Sequence, residues 1–363
     1  MSGGVDSSVA AALLKEQGFD VIGVYILGWT GTPEFPCSWQ QEEADARLVA
    51  EQLDIPFQTV NLSKEYEQAV IETFFEGYRH GATPNPDILC NREIKFKALW
   101  AAVRQFEPDY LATGHYARVN DGMIVKGVDE NKDQSYFLWG IDRQMLPRIL
   151  FPVGDKTKSE IRQLASSLGL PTAHKKDSQG ICFVGPLKVR EFLRSYLGPK
   201  PGQAMLADGR PVGQHQGANL YTIGQRLGAG SVSWTGDVPP LFVIAKDVKR
   251  NLLVVGPDKE TLADTFVAVN PNWLSALPKN DFACQAKVRY RQADIGVTVR
   301  WSGQKLIVKT DEPIRAITPG QSIVFYRGDQ LLGGAVIETV PAQQLLLEKI
   351  YATTQSATSS ASL

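Results

Sequence analysis

Two cysteines and one aspartate have neighbours suited to thiol and proton-transfer chemistry. Asp87 and Cys90 lie three residues apart, after two prolines, Pro84 and Pro86, that favour an extended approach to a helix. A cysteine at a helix N-terminus has its pKa lowered toward the thiolate, and a carboxylate three residues away can move protons for a neighbouring reaction. The alternative is that Asp87 only caps the helix.

Cys182 follows a glycine turn and lies close in sequence to Lys175 and Lys176. Nearby ammonium groups favour the thiolate, which is both a nucleophile and a sulfur carrier, whereas the alternative is an inert cysteine before an apolar run. The chain has four cysteines, and none of them form a C-x-x-C pair, so neither a disulfide scaffold nor structural zinc is expected. Cys37 and Cys284 are interpreted as small buried apolar residues.

The start of the chain has an anion-binding pattern. Residues 2–8, Ser-Gly-Gly-Val-Asp-Ser-Ser, lead directly into a helical pattern, which brings backbone N–H groups, two glycines and three hydroxyls to a helix N-terminus. Glycines let the main chain close on phosphate oxygens, and the helix dipole and hydroxyls favour the anion. No Gly-Lys-Ser/Thr follows, so the pattern is not a Walker loop, and an ordinary capped turn would use the same residue types. The pattern is similar to the loop of ATP pyrophosphatases.

Elements of two kinds must position these residues. Up to His115, helical patterns (7–17, 41–53, 64–78 and 94–106) alternate with apolar strand patterns (21–26, 57–61 and 109–113). Such alternation predicts a parallel sheet covered by helices, with ligands at the C-terminal ends of the strands. After about Gly198 the pattern changes to short strands separated by Gly and Pro, which favours small β-barrels, with a boundary over 271–278. The Ser/Thr/Ala-rich end is predicted to be disordered.

The net charge and the composition limit the classes of function that this chain can have. The 363 residues carry a net charge of −1, so the chain as a whole is not built to attract polyanions. The segment from Ala283 to Arg315, however, holds seven basic residues against three acidic ones, which could be a local nucleic-acid contact or an ordinary solvated face. The start of the sequence shows no secretory leader, and no apolar run reaches the length of a membrane span, so a cytoplasmic location without membrane contact is expected.

Seven blocks of the chain, taken together and in this order, resemble the tRNA-specific 2-thiouridylases. One such block is weak evidence, but seven in the family's order would require the same coincidence repeatedly. The blocks are Ser2–Ser7, Thr83–Phe96, Ala112–Tyr116, Lys132–Leu138, Lys176–Phe183, Tyr221–Arg226 and Arg289–Gln292.

The resemblance implies a fold of three parts. These are an α/β catalytic domain of the adenine-nucleotide α-hydrolase type over 1–197, a small central β domain over 198–265 and a C-terminal β-barrel over 266–349 that binds tRNA. A disordered tail follows over 350–363. The family's nucleotide loop normally follows a central strand, whereas only Met1 precedes Ser2 here. We interpret this difference as a misplaced start of the sequence rather than the loss of the strand.

The resemblance also implies the chemistry. ATP with Mg²⁺ would adenylate the C2 oxygen of the wobble uridine, and no protein metal ligands are expected. Cys182 would carry a persulfide, Cys90 would form a transient disulfide with it, and Asp87 would be the acid/base. The residues expected to bind ATP are Ser2, Gly3, Gly4, Val5, Asp6, Ser7, Ile26 and Gly114.

Expected partners are tRNA and a cysteine desulfurase or sulfur-relay protein, with the chain acting as a monomer. Two alternatives stay open at this point: another ATP-pyrophosphatase tRNA-modifying enzyme, and a catalytically impaired tRNA-binding homologue. The residues expected to contact the target base are Asn85, Pro86 and Asp87. Those expected to contact the rest of the tRNA are His115, Lys132, Asp133, Gln134, Arg289, Tyr290 and Gln321.

Overall fold

The computed structural model describes residues 1–177, 189–228, 239–276, 278 and 280–360, with side chains described as far as residue 352. Its first part is an α/β unit. Strand β1 (Gly23–Leu27) pairs in parallel with β2 (Phe57–Asn61), and β3 (Leu111–Ala112) pairs in parallel with β6 (Ile149–Leu150). The parallel α/β architecture expected from the sequence is therefore present.

Helices cover these strands. Helix α1 (Val5–Glu16) buries an apolar face built from small residues, and Gly18, with a φ of +85°, reverses the chain after it. Helix α2 (Trp39–Gln52) lies between β1 and β2. Helix α7 (Lys158–Ser167) begins with a capping box in which Thr157 and Glu160 bond each other's backbone N–H groups, and it packs against α1.

Two longer helices contain π-helical stretches. The first runs as α3 (Ser63–Tyr66), a π-helical stretch (Glu67–Glu72) and α4 (Thr73–Arg79). The second runs as α5 (Pro86–Leu89), a π-helical stretch (Cys90–Ala98) and α6 (Leu99–Val103), and a 3₁₀ turn follows it. The sequence predicted that this second helix begins at Ile94, but it begins eight residues earlier because Asn85 and Pro86 start it. Such stretches are uncommon and recur at functional sites.

The central part is a four-stranded sheet. Its strands are β7 (Gly202–Leu206), β8 (Pro211–His215), β9 (Phe242–Asp247) and β10 (Leu252–Gly256), in the order β8-β7-β10-β9. Helix α8 (Val189–Leu197) precedes it and joins its core to the catalytic part, because the ring of Phe75 stacks on Tyr196 with centroids 4.0 Å apart. A single apolar core therefore runs from the catalytic helices into the central sheet.

The last part is a closed antiparallel barrel. Its strands are β11 (Leu262–Trp273), β12 (Phe282–Lys287), β13 (Ile295–Ser302), β14 (Lys305–Arg315), β15 (Ser322–Arg327) and β16 (Gln330–Thr339). They follow the order β11-β14-β13-β12-β15-β16, and β16 pairs back with β11. The α/β, central β and barrel classes predicted from the sequence are confirmed.

Strand β11 overlaps both boundaries predicted between the central and last domains, and the domain bounds stay a prediction. It begins at Leu262, so the division predicted between residues 265 and 266 falls inside a strand. It also continues through Pro271, because a register irregularity between Val269 and Asn272 accommodates the missing N–H of proline.

A hairpin of the catalytic part is attached to the barrel. Strands β4 (Ala117–Asn120) and β5 (Met123–Lys126) form the hairpin, and β5 pairs with β16 at Val125 and Gln330. The catalytic part and the barrel also pack directly, since the Trp139 ring lies against Gly334 of β16.

Helix α9 (Pro341–Ser360) ends the described chain and includes most of the segment predicted to be disordered, 350–363. Its Ile350 is buried against Ile244 and Leu252 of the central sheet. Within the described part of the chain, no helix has the length and apolar content needed to cross a membrane.

A methyl group at Gly334 should weaken the packing between the barrel and the catalytic part. A Cβ there would lie 2.6 Å from the Trp139 ring and 2.8 Å from the Ile323 carbonyl oxygen. We expect Gly334→Ala to cost about 1–3 kcal/mol of overpacking and to lower the thermal unfolding midpoint by a few degrees. Gly228→Ala is the control, because no atom of the described residues lies within 4 Å of a Cβ at that exposed position. Equal midpoints for the two variants would contradict this packing.

Candidate functional site

The loop at the start of α1 leaves backbone donors available. Gly4 occupies the cap position and supplies no side chain to the first-turn N–H groups. The hydroxyls instead bond within the loop: Ser7 Oγ accepts from the Ser2 N–H at 3.0 Å, and Ser8 Oγ donates to the Gly4 carbonyl oxygen at 2.8 Å. The alternative of an ordinary side-chain-capped turn is therefore not what the structure shows. An anion could accept from the first-turn N–H groups.

Two glycines allow close approach around this loop. Gly3 has a φ of +69°, and a Cβ there would lie 2.2 Å from the Glu42 carbonyl oxygen. A Cβ on Gly114, which follows β3, would lie 2.7 Å from the Ser7 backbone nitrogen. The loop and Gly114, which the sequence predicted to share one site, are thus in contact.

The side chains of two residues in the predicted nucleotide set point away from this loop. Val5 packs in the core between α1 and α7, and Ile26 of β1 packs in the core with Trp29. Any contact of Val5 with a ligand at the loop would therefore use its backbone. A nucleotide contact of Ile26 stays a prediction.

An ion cluster that the sequence did not reveal borders the loop. Lys158, the first residue of α7, is only 12% exposed and bridges two carboxylates, with its Nζ 2.7 Å from Asp6 Oδ1 and 2.8 Å from Asp177 Oδ1. The Tyr116 hydroxyl donates to the same Asp6 oxygen at 2.7 Å. The capping box marks the start of α7, but nothing in the local sequence distinguishes Lys158 from a surface lysine.

Asp177 connects this cluster to two further cations. Lys132 Nζ and Arg162 Nη2 each lie 2.6 Å from its carboxylate. Burial alone would raise the pKa of Asp177, but the hydrogen bonds from Lys132 and Lys158 outweigh it and bring the pKa to about 2. Asp177 therefore remains charged at neutral pH and is the last described residue before the segment 178–188. Cys182 lies in that segment, outside the described residues.

The segment before Cys90 corrects two expectations. Asn85 caps the helix, because its Oδ1 accepts from the N–H groups of Asp87 at 3.0 Å and Ile88 at 3.4 Å, and Pro86 occupies the first turn. Asp87 is therefore not the cap. Cys90 is fully buried in the second turn, so it does not have the helix-terminal position from which the sequence argument lowered its thiol pKa.

The barrel holds the start of that segment. The Thr83 N–H donates to the Pro319 carbonyl oxygen at 2.8 Å, and Gln321 Nε2 donates to the Thr83 carbonyl oxygen at 2.5 Å. A Cβ on Gly320 would lie 2.5 Å from the Thr83 nitrogen. Gln321, expected to contact tRNA, therefore also fixes the backbone two residues before Asn85.

The predicted contacts Lys132, Asp133 and Gln134 bind protein groups. Asp133 is buried and accepts from the Gly127 and Ser135 N–H groups at 3.1 Å. Gln134 bonds both backbone groups of Tyr116. Lys132 is partly exposed and pairs with Asp177 at 2.6 Å.

The three remaining residues predicted to contact RNA are Arg289, Tyr290 and His115. Arg289 lines a cleft together with Gln321, and Tyr290 packs against Phe137 with centroids 4.5 Å apart. His115 is buried, and its Nδ1 shares a hydrogen bond of 2.7 Å with Thr113 Oγ1. Burial, with a smaller effect of the Lys95 charge, keeps the pKa of His115 well below its ordinary value, so the ring is neutral near pH 7.

Two other cysteines have no features of reactive thiols. Burial raises the pKa of Cys284, on β12, to about 12, and burial also raises the pKa of Cys37. A raised pKa disfavours the reactive thiolate, but neither side chain is fully buried, unlike the small buried residues that the sequence predicted. Among the described residues, no group of three or more His, Cys, Asp or Glu side chains could hold a metal ion.

The buried His115 predicts a pH dependence of stability. Its folded pKa is depressed, so the stability it contributes is full above the unfolded pKa of about 6.5 and is lost as pH falls toward the folded pKa. From pH 7.5 to 5.5, we expect the wild-type chain to lose about 1.4 kcal/mol more unfolding free energy than His115→Asn. Denaturant unfolding at both pH values measures this, and parallel losses in the two chains would show that His115 does not resist protonation.

Domain-family models match consecutive segments of the chain. The model of the tRNA methyl transferase HUP domain matches residues 1–186, that of the tRNA methyl transferase PRC-barrel domain matches 190–257, and that of the aminomethyltransferase beta-barrel domain matches 263–337. A solved NMN synthetase from Francisella tularensis aligns over 55% of this chain and 75% of its own, with 18% identity and a TM-score of 0.34, which is too slight to bear on fold or function.

Curated relatives match almost the full length. The tRNA-specific 2-thiouridylase MnmA of Streptococcus thermophilus is 48% identical over 349 residues, covering 93% of this chain and 94% of that protein. Those of Streptococcus mutans (46% over 361 residues; 96% and 97%) and Bacillus cytotoxicus (48% over 350 residues; 94% and 94%) are similarly close. The resemblance seen in the seven sequence blocks is confirmed, and the chain belongs to the tRNA-specific 2-thiouridylase family.

Proposed function

We propose that this protein converts the wobble uridine of tRNA to 2-thiouridine in an ATP-dependent reaction. The observation that carries the proposal is identity of about half over nearly the whole length to relatives named tRNA-specific 2-thiouridylase. The contact of the Ser2–Ser7 loop with Gly114 supports it, because the uncapped N–H groups there would form the phosphate site that such a reaction needs.

The residues at this loop fit a nucleoside triphosphate. Uncapped N–H groups at the start of α1 would donate to phosphate oxygens, and Lys158 would turn from Asp6 and Asp177 toward the phosphate chain. Mg²⁺ is commonly bound through one or two carboxylates together with substrate phosphates, and Asp6 is the carboxylate at the loop. Bound ATP would supply the adenylyl group that turns the uridine C2 oxygen into a leaving group.

The segment after Thr83 would hold the base. A uridine must leave the anticodon-loop stack to be modified, and single-stranded loops are where such bases can be extruded. Asn85 and Pro86 fix the start of the helix, and the Asp87 carboxylate would orient the base and move its proton.

Sulfur would arrive on Cys182 as a persulfide from a cysteine desulfurase or a sulfur-relay protein. In one route, the terminal sulfur attacks C2, AMP leaves, and a Cys182–S–S–C2 bond forms. Cys90 then attacks the Cys182 sulfur, which releases 2-thiouridine and leaves a Cys90–Cys182 disulfide. A cellular reductant restores both thiols, as expected for a catalytic disulfide in a reducing compartment such as the cytoplasm. In the other route, Cys90 releases free sulfide from the persulfide.

Four described residues are proposed to contact the rest of the tRNA: Lys132, Arg289, Tyr290 and Gln321. Arg and Lys would bind backbone phosphates, and Tyr290 offers a ring for stacking. We propose that a monomer binds one tRNA.

Replacing Cys182 should abolish the reaction without affecting substrate binding. We expect full-length protein with ATP, Mg²⁺ and a persulfide donor to form 2-thiouridine in tRNA, detected by mass spectrometry, and Cys182→Ala to form none. Cys284→Ala is the control, because Cys284 lies on the barrel strand β12. Product from Cys182→Ala at the wild-type rate would refute the sulfur-carrier role. Tight tRNA binding without product from wild-type protein would favour the non-catalytic homologue.

Lys158→Ala should weaken ATP binding by about tenfold or more, because a charge-assisted hydrogen bond contributes about 1.5–3 kcal/mol. The change also leaves Asp6 and Asp177 without the cation they share. Lys156→Ala is the matched control, two residues earlier. Equilibrium dialysis with ATP measures the affinity directly, without turnover. Wild-type affinity in Lys158→Ala would exclude Lys158 from the phosphate site.

A further inference from the structure

Tyr221 of the central domain binds the chain shortly after the segment that contains Cys182. Its hydroxyl accepts from Arg190 Nη2 at 2.7 Å, and the Arg190 guanidinium lies over its ring, 4.9 Å from the centroid. Arg190 is the second residue of α8 and comes eight positions after Cys182. The same pair thus combines a charge-assisted hydrogen bond with a cation–π contact. Tyr221 therefore holds the start of α8.

Tyr221 is itself fixed by its surroundings. Its side chain is only 1% exposed, and its ring packs edge-on against His215 with centroids 5.8 Å apart. Lys246 Nζ donates to its carbonyl oxygen at 2.6 Å, so the backbone is held as well. A side chain locked by packing and by hydrogen bonds can position another group precisely. The block Tyr221–Arg226 to which it belongs has no role in the thiolation chemistry described so far.

The next residue, Thr222, contacts the segment that leads to the other cysteine. Its Oγ1 lies 3.4 Å from Thr83 Oγ1, and Tyr78 of α4 forms side-chain hydrogen bonds with both threonines. Thr83 comes seven positions before Cys90. Two adjacent residues of the central domain therefore bind the chain after Cys182 and the chain before Cys90.

The other end of the segment 178–188 is also held. Asp177, the last described residue before it, pairs with three cations at 2.6–2.8 Å. Cys182 lies in this segment, outside the described residues, but the contacts that hold its two ends are all described. Fixing both ends of a chain segment raises the effective concentration of its groups near a fixed partner.

We propose that Tyr221 is a positioning residue for sulfur transfer, which controls how readily Cys182 and Cys90 meet. It would act through Arg190 on one side and through its neighbour Thr222 on the other. The inference rests on the proposed function, in which Cys90 attacks the Cys182 sulfur, and it gives the Tyr221–Arg226 block a part in that step. Small displacements of reacting groups slow a reaction strongly, so such a support matters for the rate.

The test is the equilibrium between the two thiols and their disulfide in glutathione buffers, with full-length protein and without RNA or ATP. One glutathione disulfide oxidises the two thiols and becomes two glutathione molecules, so the midpoint gives the effective concentration of Cys90 and Cys182 for each other. Mass spectrometry of alkylated peptides identifies the bridge. Tyr221→Phe removes only the hydroxyl. We expect the effective concentration to fall about tenfold, because a hydrogen bond from a charged donor is lost.

The same variant should transfer sulfur to tRNA about tenfold more slowly in a single turnover, while its affinities for tRNA and ATP stay at the wild-type values. Tyr351→Phe is the matched control. Tyr351 also has an arginine over its ring, Arg250 at 3.7 Å, and its hydroxyl donates to Asp247 at 2.6 Å. These contacts join α9 to the central sheet, so this variant should keep the wild-type effective concentration.

Arg190→Met is the second variant and removes the donor instead of the acceptor. It should match Tyr221→Phe, and the double variant should show no further loss, because the two changes break one interaction. This variant keeps the test decisive if Tyr221→Phe does not fold.

Three outcomes would overturn the inference. They are a wild-type effective concentration in Tyr221→Phe, equal losses in Tyr221→Phe and Tyr351→Phe, and additive losses in Tyr221→Phe and Arg190→Met. Equal losses would indicate a general effect on packing, and additive losses would indicate two unrelated effects. Wild-type protein that makes no 2-thiouridine would refute the proposed function instead, and the disulfide comparison would remain interpretable because it needs neither RNA nor ATP.

Discussion

Thr83 links the catalytic part of the protein to both the barrel and the central domain, and it lies just before the segment with Asp87 and Cys90. Its N–H and carbonyl groups are both bonded by the barrel loop at Pro319 and Gln321, and its hydroxyl lies near Thr222 of the central domain. A short segment that carried Asp87 and Cys90 without such support would lose its register easily, because loops have little burial to hold them. The barrel therefore orients part of the proposed reaction centre in addition to any contact it makes with RNA.

The ion pairs of Lys158 are a second constraint on the proposed reaction centre. Lys158 joins Asp6 of the Ser2–Ser7 loop to Asp177, the last described residue before the segment that contains Cys182, through ion pairs of 2.7 and 2.8 Å. Exposed ion pairs contribute little, but Lys158 is only 12% exposed and its partners are shared. In a phosphate site such pairs hold cations in position until an anion competes for them. This arrangement explains why a lysine at the first turn of α7 is bonded away from solvent.

Part of the fold and of the candidate site was predictable from the sequence. The resemblance to the 2-thiouridylases implied that the loop at Ser2–Ser7 and Gly114 share one site, and the two are in contact. The start of the second long helix was misjudged because apolar periodicity is clear only from Ile94, whereas Asn85 and Pro86 begin it. Pro271 was interpreted as a boundary although a register irregularity lets β11 pass through it. The Thr83–Gln321 contact joins residues 238 positions apart, and no local pattern could predict it.

The most direct test of the account follows one labelled sulfur through a single turnover. Full-length protein carrying a ³⁵S persulfide would be mixed with unmodified tRNA, with and without ATP and Mg²⁺, and both the tRNA and the non-reduced cysteine peptides would be analysed. The account predicts that label enters tRNA only with ATP, with one AMP formed per 2-thiouridine, and that direct transfer leaves a Cys90–Cys182 disulfide. Label entering tRNA without ATP, or 2-thiouridine formed while the label stays on the protein, would contradict it.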